Sequence, residues 1–303
     1  MRKTLFIVKQ VALFCVAVAC VFISARAFTQ ENKSAYATAV NIAGKQLMLI
    51  QKISKEVLFS KLQTSKVHQL TSLADTATQF HQAQLGLMHG SEVLGLPKTT
   101  DQAQLKKMQN ILTLWEAYFS ALEDSVLSRS IDDKLVELVT ETNEKLLIEL
   151  DEMVVVFQNV ADEQLSNLPE TLPTTINLAG RQRMLSQKMA KECLLVEAGM
   201  ERQTNLQKLS NSQKEFEKVH HGLVRGNESL NLQVQPTFEI KQQLSKVSED
   251  WLSFKTLLKS CGTNKNPKDQ EVFFDSLSHL NLVLLRNMNH AVEMYESLAY
   301  ETQ

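Results

Sequence analysis

The stretch Ile176-Asn177-Leu178-Ala179-Gly180-Arg181-Gln182-Arg183-Met184-Leu185-Ser186-Gln187-Lys188-Met189-Ala190-Lys191-Glu192 decides how this chain is read, because it is patterned as a helix and occurs twice. At 3.6 residues per turn, Leu178, Leu185, Met189, Cys193 and Val196 fall on one apolar stripe that should face a core. Gly180, Arg183, Gln187 and Lys191 share a second stripe, about 180° away on the helical wheel. That polar stripe therefore points away from its own bundle, to solvent or to a partner helix. A glycine inside a helix costs about 1 kcal/mol relative to alanine, so Gly180 makes sense where something approaches the backbone closely. Arg183, one turn further on, offers a planar fork of donors suited to an anion. The competing reading is a solvated helix face with a tolerated glycine.

The twin of this stretch runs from Val40 to Glu56. A shift of 136 places Asn41 on Asn177, Gly44 on Gly180, Gln46 on Gln182, Gln51-Lys52 on Gln187-Lys188 and Lys55-Glu56 on Lys191-Glu192. The same shift pairs Phe80 with Phe216, Gly86 with Gly222, Gly90 with Gly226 and Trp115 with Trp251; near the end a shift of 138 pairs Asn143 with Asn281 and Phe157 with Tyr295. One unit has been copied, with a two-residue difference in a late loop. Each copy reads as four helices, near 34–62, 65–90, 101–128 and 131–163, then near 174–199, 203–226, 238–261 and 268–300. All five prolines fall in the breaks between them. The predicted fold is all-α, two tandem antiparallel four-helix bundles over 28–165 and 174–303, with the boundary at Ser166 to Pro173. Gly86 to Gly90 and Gly222 to Gly226 read either as close helix contacts or as helix ends, and Trp115 and Trp251 as core anchors.

Residues 1–27 read as an export signal: Arg2, Lys3 and Lys9, an apolar run from Val11 to Ile23, then Ala25-Arg26-Ala27 as a small-x-small cleavage site. The alternative is an uncleaved tether to the inner membrane through residues 5–23. Cleavage removes four basic residues and no acidic one, taking the net charge from −2 to −6. An acidic exported chain without a basic, aromatic-interleaved patch is a poor nucleic-acid binder. Cys193 and Cys261 remain in the mature chain, either bridged, as an oxidising compartment permits, or as free thiols.

No catalytic or cofactor motif stands out. There is no HExxH, Cys-x-x-Cys pair, Walker loop or nucleophile elbow. The seven histidines are scattered, and adjacent His220 and His221 cannot face one metal from a helix. No enzyme, cofactor or metal site is expected.

At Asn177, Ala179-Gly180 and Arg181 to Met189 the sequence resembles the PilJ-type sensor family, the N-terminal periplasmic domain of type IV pilus methyl-accepting transducers, and the matching segment of nitrate/nitrite sensor histidine kinases. The resemblance implies four-helix sensor bundles in which the first helices of two protomers meet and hold nitrate between them, with ligands from a Gly-x-x-Arg step. Here that step is Gly180 to Arg183. It agrees with the wheel and makes Gly180, Arg183, Gln187 and Lys191 the expected ligand-binding residues. The first copy supplies Gly44, Gln51 and Lys55 as weaker equivalents, but Leu47 stands where the arginine should be, and Lys45 lies two residues off the stripe. An exposed Leu47 beside Gly44 suits a helix–helix contact.

Two assemblies follow: an intramolecular pseudo-dimer with a single Arg183, or a homodimer that brings two Arg183 side chains together and links anion binding to association. No output segment follows the second unit, so signalling is expected to pass to a membrane-bound partner. The leading expectation is a periplasmic, non-catalytic receptor for a small oxyanion such as nitrate or nitrite. The rival is an envelope structural or interaction protein tied to pili or chemotaxis, docking a protein on its first-helix faces.

Overall fold

The computed structural model describes residues 35–63, 67–164, 171–234 and 237–301. The expected leader, its cleavage site and the alternative tether lie outside the described residues. Eight α-helices account for most of them: α1 over 35–62, α2 Val67–His89, α3 Gln102–Ser128, α4 Asp133–Gln164, α5 Leu172–Glu197, α6 Arg202–Arg225, α7 Phe238–Leu258 and α8 Pro267–Glu301. The expected windows fall on these helices within a few residues at each end. None of the described helices is long and apolar enough to cross a membrane.

The copies use the same local devices. Asp101 caps α3 by accepting from the Gln104 N–H at 2.8 Å, and Thr237, 136 residues later, caps α7 by accepting from the Ile240 N–H. Gly90 and Gly226 end α2 and α6 with φ of 85° and 81°. Each is followed by a tight loop closed by one antiparallel bridge, Ser91 to Leu96 and Asn227 to Leu232. Gly86 and Gly222 admit these loops: a Cβ on Gly222 would lie 2.9 Å from Leu232 Cδ1. Both glycine pairs thus serve a helix end and its returning loop, not a helix–helix contact.

α1 lies against α2 and α4 of its own unit, through Gln46 to the Phe80 carbonyl and Gln51 to Asn143; α5 packs against α6 and α8 in the corresponding places. Trp115 and Trp251 are buried beside Phe80 and Phe216, ring centroids 4.3 and 4.4 Å apart. The two four-helix bundles share their hydrophobic interior, in two clusters that each draw on both units. Leu47, Ile50 and Ile53 of α1 belong to the same buried set as Met184, Leu185 and Met189 of α5. A disulfide joins Cys193 in α5 to Cys261 just beyond α7, spanning 68 residues of sequence. A bridge of that span stabilises a fold by about 2–4 kcal/mol, chiefly by restricting the unfolded chain.

Candidate functional site

α5 is buried almost all round. The wheel separated its apolar and polar stripes, and the polar one meets α1 of the first unit instead of solvent. Gly180, Arg183, Gln187 and Lys191 are all buried, as are Leu47, Gln51 and Lys55 on the facing helix. The expectation of an exposed Leu47 is corrected: it lies in the shared core, because the second unit covers α1 as α1 covers α5.

Arg183 is 1% exposed. Its Nη1 donates to Asn289 Oδ1 at 3.0 Å and its Nη2 to the Asn41 carbonyl at 3.3 Å; its Nε is buried with no hydrogen-bond partner. Among the described residues no carboxylate lies within ion-pair distance of it. Burial lowers its pKa to about 10, opposed by the charges of Glu296 and Glu293, so the guanidinium stays protonated at neutral pH. Two glycines flank it. A Cβ on Gly180 would stand 3.2 Å from Nη2, and one on Gly44 would stand 3.9 Å from the same atom. Lys45, half-buried, has its pKa lowered first by burial and next by the Arg183 charge, opposed by Glu293.

Two turns along, the duplication builds a polar network across the junction. Gln51 Nε2 donates to Asn143 Oδ1 at 2.9 Å, and Lys191 crosses from the other unit to the same oxygen at 2.9 Å. In return, Lys55 crosses to Gln187 Oε1 at 2.8 Å and Asn281 Oδ1 at 2.9 Å. The amides of Asn143 and Asn281 then donate to the Ile50 and Ser186 carbonyls, which are 136 residues apart. Among the described residues neither lysine touches a carboxylate, and burial lowers both pKa values to about 8. Asn41 and Asn177 are likewise matched: they donate to Glu296 and to Gln158, each at 2.5 Å.

The structure therefore brings Gly44, Gly180 and Arg183 together, and gathers Gln51, Lys55, Gln187 and Lys191 into a network beside them. Arg181, off the stripe, pairs with Asp151 and Glu215. Sequence reasoning gave no role to Asn41, Asn143, Asn281 or Asn289. The available signal was that both copies keep an asparagine, Asn143 and Asn281, inside an apolar helical pattern. His220 is buried, hydrogen-bonds Ser248 at 2.8 Å, and burial lowers its pKa to about 4; His221 beside it is exposed. Among the described residues no cluster of His, Cys, Asp or Glu is placed to hold a metal ion.

Comparison with known proteins agrees with this architecture. The family model described as type IV pili methyl-accepting chemotaxis transducer N-term (PilJ) matches residues 28–139 and again 173–272, one match in each copy. Methyl-accepting chemotaxis protein McpN of Pseudomonas aeruginosa is 30% identical over 131 residues, which cover 43% of this chain and 23% of that protein. The chain thus matches under a quarter of its relative's length.

Proposed function

The chain belongs to the PilJ family, and on that premise we propose that it is a non-catalytic sensory protein whose ligand is a small oxyanion, nitrate or nitrite, received at Arg183 between its two units. The observation that carries this reading is a fully buried guanidinium with no carboxylate in contact among the described residues, one unused N–H, and glycines on both sides. A buried charge without a counter-charge is costly, and an arriving anion relieves that cost. The half-buried Lys45 adds positive potential beside it. Gln187 and Lys191, bonded across the junction, make the conformation of this seam sensitive to what binds there.

The name of the relative supports relay to a chemotaxis signalling partner at the membrane. The Cys193–Cys261 bridge supports residence in an oxidising compartment such as the periplasm. The rival role, docking a protein on the first-helix faces, is less well supported, because those faces cover each other and the units would have to separate.

Calorimetric titration with nitrate and nitrite, with chloride and sulfate as controls, tests the proposal. Arg183→Ala should abolish the binding heat. Gly44→Ala should weaken binding at least tenfold while raising stability by up to about 1 kcal/mol, since alanine favours the helix and its methyl meets Arg183 only at ordinary contact distance. Nitrate affinity unchanged in Arg183→Ala sinks the reading.

A further inference from the structure

A separate cleft of about 340 Å³ opens where α4 of the first unit meets α5 and α6 of the second. That volume is at the small end of the range for small-molecule sites, about 300–1,000 Å³. Three lysines line it, and two are neutralised: Lys188 by Glu192 at 3.0 Å and Lys208 by Glu144. Lys191 is not. It is 8% exposed, its Nζ makes one hydrogen bond, to Asn143, and among the described residues no carboxylate lies within ion-pair distance. An ammonium has three N–H donors, so two remain for a ligand. Leu147, Leu195 and Met200 give the cleft apolar walls, and Ile148, 60% exposed, stands where it meets solvent.

The duplication supplies a comparison within the molecule. Lys55, the counterpart of Lys191, has two side-chain acceptors in the facing unit. Phe59 takes the place of Leu195 and packs edge-on against Phe274, ring centroids 6.3 Å apart; Leu282 takes the place of Glu144. The same ammonium is thus doubly satisfied in one copy, and singly satisfied beside an open cleft in the other.

We infer that this cleft binds a small organic monocarboxylate with a hydrocarbon body, its carboxylate on Lys191 Nζ and its body against Leu147, Leu195 and Met200. Glu201, also in the lining, disfavours a second negative charge on the ligand. The site is separate in space from Arg183: Lys191 lies eight residues, about 12 Å of helix, beyond it.

Hexanoate titrated into the full chain, followed by calorimetry and thermal midpoint, is the test, with 1-hexanol as the uncharged control. Saturable hexanoate binding is expected, with 1-hexanol at least tenfold weaker. Lys191→Met should abolish it. Ile148→Trp changes an exposed residue, leaves the fold intact, and should weaken binding at least tenfold by filling the mouth, so the test does not depend on Lys191→Met folding. Arg183→Ala should retain hexanoate binding even as it loses nitrate. No saturable binding to wild type, equal affinity for hexanoate and hexanol, or wild-type binding by Ile148→Trp would each overturn the assignment.

Discussion

Lys55 and Lys191 cross the junction in opposite directions, and both are protonated at neutral pH despite burial. Burial is the largest cause of their depressed pKa, about 8 in the fold against 10.5 for the free side chain. Between those values the unfolded chain binds more protons than the folded one, so stability increases with pH there. Below about pH 8 both states are protonated and this contribution is absent. Buried Tyr118 and Tyr295, whose pKa values burial pushes up, act in the opposite sense once pH passes the ordinary tyrosine range near 10. The urea midpoint should therefore climb between about pH 8 and 9.5, and the climb should flatten in Lys55→Met. A midpoint independent of pH across that window would show that the two ammoniums are not desolvated at the junction. The polar stripe that carries Lys191 was legible in the sequence, since a wheel shows which residues share a face. What lies opposite that face was not, because periodicity is local while Lys55 reaches Asn281 across 226 residues of chain.

The elements were the most legible part, since caps, breaks and prolines act within a few residues of where they are written. The glycines Gly90 and Gly226, which stand where α2 and α6 end, are examples. Gly86 and Gly222 were ambiguous because their spacing serves a helix contact and a helix end equally. The structure assigns them to the returning loops, whose Leu96 and Leu232 fold back over the last turn. Gly226 is the stricter position. Its φ of 81° and ψ of 155° lie where only glycine is at ease, and a Cβ there would meet the Val234 backbone nitrogen at 3.3 Å. Gly226→Ala should cost about 1–3 kcal/mol from backbone strain, read as a lower urea midpoint. Gly222→Ala should cost less, because the nearest atom it meets, Leu232 Cδ1, is the far end of a side chain, no backbone atom is among its contacts, and the helix gains from alanine. A Gly226→Ala protein as stable as wild type would mean that the loop after α6 does not hold this backbone.

At the scale of the whole molecule, duplication has placed both halves of an interface on one chain. In the resemblance from which the site was read, two identical helices meet and each brings an arginine; here α1 and α5 meet, and Leu47 replaces one arginine with a core side chain. The replacement makes physical sense in a permanent pair. Two buried guanidiniums a few ångströms apart would repel strongly whenever no anion lay between them. A second chain would supply a counter-helix only when concentration and anion allowed, whereas α1 is held against α5 by covalent connection, the shared core and the crossing lysines. On the proposed reading, anion binding at Arg183 would be uncoupled from association between chains, because the face a partner chain would need is already filled by α1. Sedimentation of the protein should give the same mass with and without saturating nitrate, and nitrate affinity should not vary with protein concentration. Affinity that strengthens as the protein is concentrated, together with a doubled mass in nitrate, would mean that α1 leaves α5 and that two chains assemble the site between them.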